Sequence, residues 1–218
     1  MFSLNLVYLY WVVKVKIENL TTGFYFTNSY VISNDKNECI IVDPGLEYKK
    51  AADYIKSKYK PLAILITHAH MDHIDGIAYF SDLPIYLYKA EKDVFNDSDK
   101  NLYEMIGRVT PYTTNELDIR YVSDNDIINI SDFTFKVIYT PGHTIGSCCY
   151  LMGNDLFTGD TLFNLSCGRC DFPTGDMSKM EESLTKLMNM FSDDVKCYPG
   201  HNDLTTIGYE RIHNPFIR

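Results

Sequence analysis

Five of the chain's six histidines fall at spacings suited to holding metal. Thr67-His68-Ala69-His70-Met71-Asp72-His73 puts four potential ligands within six residues. His143 follows in Pro141-Gly142-His143-Thr144, Asp160 in Thr158-Gly159-Asp160-Thr161, and His201 in Pro199-Gly200-His201-Asn202. Only His213 stands outside the pattern. Neutral imidazoles and ionised carboxylates converging from several loops are what a divalent cation requires. A lone histidine is more often a surface or hydrogen-bonded residue than a ligand. His-x-His, however, places two rings on one face of an extended segment. The added Asp-His, two Gly-His corners and one Gly-Asp corner leave little room for coincidence.

The spacing has a direct chemical reading. Leu62–Ile66 is an apolar run long enough for a buried strand and too short for a helix. It delivers Thr67 to a sheet edge, where His68 and His70 face a common ion. Asp72 and His73 then project toward a second position as the chain enters a helix. Two ions about 3.5–4 Å apart share a water or hydroxide. Asp160, with two carboxylate oxygens, is suited to bridge them.

Hydrophobic period and turn signals supply the scaffold. Phe24–Ile32 and Glu38–Val42 read as strands around the turn at 33–37. Tyr48, Ala51, Ala52, Ile55 and Tyr59 predict an amphipathic helix over 47–59, stopped before Pro61. Pro84–Tyr88 reads as a strand followed by a short helix near 90–95, and residues 96–126 give the weakest pattern. Phe133–Tyr139 is a strand ending at the His143 corner. Ser147–Met152 and Leu156-Phe157 form a hairpin about Gly153-Asn154. Ser178 and Glu181 predict a capping box for a helix with a core-facing stripe of Met180, Leu184, Leu187, Met188 and Phe191. Val195–Tyr198 leads to His201. The ligands thus sit where strands give way to loops. Strand–helix alternation by itself also fits a doubly wound sheet.

Composition bounds the class. At 218 residues, 45% hydrophobic and 22% charged, residues 1–218 have the size and make-up of one globular domain. A net charge of −9 without a run of Lys or Arg speaks against a nucleic-acid partner. Six cysteines without a secretory signal point to a reducing, cytoplasmic setting. Residues 1–12 are apolar but lack a basic flank and are too short to span a bilayer, so no membrane partner is expected. They read either as surplus from an upstream start codon or as an added edge strand or interface segment.

Further motifs carry a resemblance. They include Thr27-Asn28-Ser29-Tyr30-Val31-Ile32, Ile41-Val42-Asp43-Pro44-Gly45, Gly142-His143-Thr144-Ile145-Gly146-Ser147 and Gly159-Asp160-Thr161-Leu162-Phe163. Gly168-Arg169-Cys170-Asp171-Phe172-Pro173-Thr174-Gly175-Asp176, Tyr198-Pro199-Gly200-His201 and Thr205-Thr206-Ile207-Gly208 complete the set. From residue 13 to 218 the chain resembles the metallo-β-lactamase superfamily, and within it the glyoxalase II-like (hydroxyacylglutathione hydrolase-like) enzymes. The resemblance implies an α/β fold, an αββα sandwich of two mixed sheets flanked by helices, with metals at one edge. It implies two divalent ions, zinc foremost, with iron or manganese acceptable to the same ligands. His68, His70 and His143 would hold the first, Asp72, His73 and His201 the second, and Asp160 both. The implied reaction is hydrolysis, with Asp72 orienting the attacking hydroxide.

The leaving group narrows the bond. An amide nitrogen must be protonated before it departs, and these motifs offer no further acid. A thiolate, with a parent pKa of about 8.5, leaves unprotonated. A small-molecule thioester such as a 2-hydroxyacyl-glutathione therefore asks least of this residue set. The chain stops seventeen residues after His201, so the helical domain that helps glyoxalase II enzymes bind glutathione is expected to be missing. Arg169 falls where those enzymes place a basic residue that touches substrate. Its competing role is a pair with Asp171 or Asp176. Cys167 and Cys170 read as loop residues rather than a redox pair. The alternative reading is a persulfide dioxygenase with a single iron on His68, His143 and Asp160. β-Lactam hydrolysis is disfavoured, because His73 stands where many lactamases carry another residue.

Overall fold

The middle of the chain favours unbroken apolar runs over alternation because its strands are covered on both faces. The computed structural model describes residues 15–217; the expected extension at residues 1–12 lies outside the described residues. One sheet is built from β1 (Lys16–Thr22), β2 (Thr27–Ser33), β3 (Glu38–Val42), β4 (Lys60–Ile66), β5 (Ile85–Tyr88) and β6 (Ile119–Val122), adjacent in that order. The first three strands pair antiparallel and the rest parallel. The second sheet holds β7 (Ile127–Ile130), β8 (Phe133–Tyr139), β9 (Cys148–Met152), β10 (Asp155–Gly159), β11 (Lys196–Pro199) and β12 (Thr205–Thr206), again in chain order. Only β10 and β11 pair parallel there.

Three apolar clusters define four layers. Between the sheets, Tyr30, Ile32, Ile40, Val42 and Leu65 meet Phe133, Phe135, Val137, Tyr150 and Phe157. The alternate residues of the same strands face outward. Val31, Ile41, Ile64 and Ile66 pack with Tyr48, Ala52 and Ile55 of the segment containing α1 (Lys49–Lys58). Ile138, Cys149, Leu156 and Cys197 pack with Met180, Leu184 and Leu187 of α4 (Met177–Met190) and with Ile207, which opens α5 (Ile207–His213). The short helices α2 (Met71–Ile74) and α3 (Lys92–Phe95) follow β4 and β5. Phe135 has no exposed surface, and truncating such a phenylalanine to alanine costs about 3–5 kcal/mol. The αββα sandwich expected from the resemblance is the observed fold.

The sequence reading needs correction in four places. The first inner strand begins at Thr27 rather than Phe24, because Phe24 and Phe26 are exposed in the β1–β2 turn and Phe26 sits at φ 56°. The cap of α4 is Asp176, which accepts Lys179 N–H at 3.1 Å, and not Ser178. The shift lengthens the first turn while leaving the buried stripe as read. β4 starts at Lys60 and runs through Pro61. β1, β6, β7, β12 and α5 were not read at all.

Candidate metal centre

Every ligand position predicted from sequence lies beyond the end of β4, β8, β10 or β11, with Asp72 and His73 inside α2, on one edge of the sandwich. β4 ends at Ile66, and the next residue is anchored twice: Thr67 donates its N–H (2.8 Å) and its hydroxyl (2.6 Å) to Asp43. Asp43 follows β3 with φ 50°, a left-handed conformation that aspartate tolerates better than most residues. Its Oδ2 also pairs with His73 Nδ1 at 3.0 Å. One buried carboxylate thus fixes the start of the His-x-His turn and the orientation of a ring in α2. Thr67 Oγ1 lies 3.2 Å from His68 Nδ1, Arg169 carbonyl 2.6 Å from His143 Nδ1, and Tyr25 carbonyl 3.1 Å from His201 Nδ1. Such contacts on one ring nitrogen set the tautomer and aim the other.

The rings converge. His68, His70 and His143 have centroids 4.6–4.7 Å apart in pairs, and each can offer an atom within 4.8 Å of the other two. Asp72, His73 and His201 form a second such group, and His68, His73 and Asp160 link the two. Asp160 spans the pair. Its Oδ1 lies 3.4 Å from His73 Nε2, while its Oδ2 lies 3.4 Å from His143 Nε2 and 3.5 Å from His201 Nε2. Asp72 Oδ2 accepts the Thr27 hydroxyl at 2.9 Å and lies 3.3 Å from His201 Nε2. Gly200 is glycine for a steric reason: a Cβ there would overlap Asp160 Oδ1 and come within 2.7 Å of His73 Cε1.

The donor set fits divalent metal on a structural observation independent of any likeness. The Nε2 atoms of His68, His70, His73 and His143 and Oδ1 of Asp160 are buried with no hydrogen-bond partner among the described residues. Leaving one such group unpaired costs about 1–3 kcal/mol, so five at one locus point to a cation. Electrostatics agree. Burial, reinforced by neighbouring imidazoles, pushes His68 and His70 well below the usual histidine range, and burial also lowers His143. These rings are neutral, as ligands must be. At the other group burial opposes charge on His73, yet Asp72, Asp160 and Asp43 outweigh it and raise the ring to about 10. Burial likewise opposes ionisation of Asp72, but His73 and His201 hold it well below the usual carboxylate range. Uncompensated carboxylates draw positive charge to this end of the site.

The centre floors a cleft of about 420 Å³ whose walls include Tyr25, Leu102, Met105, Phe163 and Phe172. Leu102 and Met105 come from the segment the sequence rendered least legible. Arg169 also lines the cleft. Its guanidinium donates to both oxygens of Asp171, at 2.9 and 2.7 Å, and stacks 4.2 Å from the centroid of Phe172. Sequence reasoning named no role for Asp43, Thr27 or Asn28, though all three stand in the quoted motifs. It missed Glu91 altogether, which is buried without exposure and accepts three hydrogen bonds.

With fold and geometry in place, the comparisons agree. The model of the metallo-beta-lactamase superfamily matches residues 22–201, and the chain belongs to that family. A probable metallo-hydrolase, YqgX of Bacillus subtilis, is 34% identical over 209 residues, covering 93% of this chain and 98% of the relative. Among solved structures, the B3 metallo-beta-lactamase BLEG-1 superposes with a TM-score of 0.85 at 34% identity, covering 93% of this chain and 99% of the other. TTHA1623 in a di-iron-bound form gives 0.79 at 30% identity, covering 92% and 100%. ETHE1 from Myxococcus xanthus gives 0.73 at 25% identity, covering 92% and 83%. The chain is thus a member of the metallo-beta-lactamase superfamily that brings together His and Asp side chains able to hold metal. No helix among the described residues is long and apolar enough to cross a membrane.

Proposed function

We propose that the chain is a dinuclear metal-dependent hydrolase that cleaves a small thioester, of the 2-hydroxyacyl-glutathione type, in the cytoplasm. One observation carries the reading: seven ligand-type side chains converge in two groups joined by Asp160, with five buried atoms there lacking hydrogen-bond partners among the described residues. His68, His70 and His143 would hold one ion, Asp72, His73 and His201 the other, and Asp160 both, with zinc as the expected metal. Bound divalent ions supply hydroxide near neutral pH and polarise the carbonyl under attack. Asp72, steadied by Thr27, orients the attacking water. The aromatic and aliphatic walls exclude bulk water and seat the acyl and thiol portions of the substrate. Arg169 at the rim can exchange its exposed partner Asp171 for a substrate carboxylate, since surface pairs contribute only about 0–1 kcal/mol. The thiolate leaves without a proton, so the cleft needs no separate acid. Two partly exposed free cysteines, Cys167 and Cys170, suit a reducing compartment.

The likeness to BLEG-1 favours a second reading, β-lactam hydrolysis on the same residues, and the single-iron dioxygenase is a third. Purified protein loaded with zinc, iron or manganese distinguishes them through thiol release from hydroxyacyl thioesters, ring opening of a chromogenic β-lactam, and oxygen uptake with glutathione persulfide. Thiol release without oxygen uptake is expected. Oxygen uptake without thioesterase activity, or turnover of the β-lactam alone, would overturn the assignment.

A further inference from the structure

Glu91 lies outside the seven ligand positions, in a Lys-Ala-Glu-Lys context that reads as a solvated helix start. It is nonetheless fully buried. Its Oε2 accepts the N–H of Ala69, the residue between His68 and His70, at 2.7 Å. Its Oε1 accepts the hydroxyl of Thr144 and the N–H of Gly146, each at 2.7 Å, from the corner that carries His143. The two ligand segments extend from β4 and β8, which belong to different sheets. From these contacts we propose that Glu91 is a positioning residue, a clasp that joins the two loops across the sandwich and presets the His68, His70, His143 group for metal.

A second observation supports the close fit. A Cβ on Gly146 would lie 2.6 Å from Glu91 N and 2.7 Å from its Cγ and Oε1, so only glycine lets this backbone reach the carboxylate. The seam continues beyond it. Thr144 Oγ1 lies 2.7 Å from Ser147 Oγ, and Cys148 N–H donates to Thr67 carbonyl at 2.9 Å. The other metal group is held by different residues, Thr27 on Asp72 and Asp43 on His73. Glu91 therefore acts on one group only. Burying a carboxylate is costly unless charge-assisted donors satisfy it. Here the Ala69 N–H lies between two ligand positions, the Thr144 hydroxyl next to a third, and the Gly146 N–H three residues beyond it, so a shift of either loop changes ligand convergence.

The inference rests on the dinuclear reading, and the test separates the two. Stepwise zinc dissociation constants of metal-free protein are measured by competition with a chromophoric chelator, alongside thermal melting of the metal-free form. In Glu91→Gln the amide oxygen can still accept from Thr144 and Gly146, but its NH2 then faces the Ala69 N–H, donor against donor. One zinc constant should rise about 10- to 100-fold, as when other groups supporting metal ligands are removed. The other should move by a clearly smaller factor, because its group meets the altered one only where Asp160 and His68 join them. Thr144→Val deletes a single donor and should move the same constant by a smaller factor, which keeps the proposal testable if Glu91→Gln does not fold. Lowered melting with both constants unchanged in a folded variant would reduce Glu91 to a packing role and overturn the clasp. Uptake of a single equivalent by the unaltered protein would remove the dinuclear reading, and the clasp would then be read from that one constant.

Discussion

At the residue scale, the metal centre makes unequal demands on its carboxylates. Asp160 contacts both His groups, Oδ1 lying toward His73 and Oδ2 toward His143 and His201, whereas Asp72 faces one. Asp160→Ala should therefore lower bound metal more than Asp72→Ala, because it leaves two nearby cations less compensated. Elemental analysis after gel filtration reads this, and equal losses would argue against bridging. Arg169 is a sharper question, since Asp171 already occupies its fork. If it grips a substrate carboxylate, Arg169→Ala should mainly raise KM, because the contact exists in ground and transition states alike. A charge-assisted hydrogen bond of about 1.5–3 kcal/mol corresponds to roughly ten- to hundredfold in kcat/KM. Arg169→Lys should recover part, keeping charge but losing the bidentate geometry. A lower melting temperature with unchanged KM would assign Arg169 to its loop instead.

At the scale of elements, two strands do more than their length suggests. β2 ties the sheets together at the site. Asn28 N–H donates to Gly200 carbonyl at 2.7 Å, and its side-chain amide donates to the carbonyls of Pro199 (3.1 Å) and Asn202 (2.8 Å). These residues flank His201, so Asn28→Ala should weaken zinc binding at the Asp72, His73, His201 group. It should also cost about 1–3 kcal/mol for buried carbonyls left unpaired. Unchanged zinc constants in a destabilised variant would limit Asn28 to sheet docking. β1 is clasped to α1 through Glu18. Burial opposes its ionisation, but the hydroxyls of Tyr59 and Tyr54 and the ammonium groups of Lys16 and Lys58 outweigh it and bring the carboxyl down to about 2 from 4.5. The folded-state value lies below the unfolded one, so the contribution is complete above about pH 4.5 and fades as pH falls toward 2. Glu18→Gln should be less stable than the parent at neutral pH, with the difference closing through that window. A pH-independent difference in melting temperature would contradict this assignment.

For the whole molecule, metal and fold should be coupled, since ligands from both sheets meet at one edge. At a free metal concentration of 100 times Kd, one ion adds about 2.7 kcal/mol to stability. For a chain of this size that corresponds to roughly 5–10 °C in melting temperature per ion. Chelation should lower melting by that order, and readdition of zinc should restore it; a melt indifferent to chelator would deny the site. The candidate ligand positions were legible in the sequence alone, because five histidines in adjacent or glycine-flanked positions form a pattern dense enough to stand without coordinates. The sequence also determined the central strands and the α4 stripe, where apolar period leaves few options. Asp43 and Glu91 were not legible as supports. Each is a lone acid whose partners, Thr67 and His73 in one case and Ala69, Thr144 and Gly146 in the other, are brought near only by folding. The cleft walls at Leu102 and Met105 were hidden likewise, in a segment without a sustained period. Metal ligands announce themselves by residue type and spacing, whereas the groups that aim them are identified by long-range hydrogen bonds, which only the tertiary structure decides.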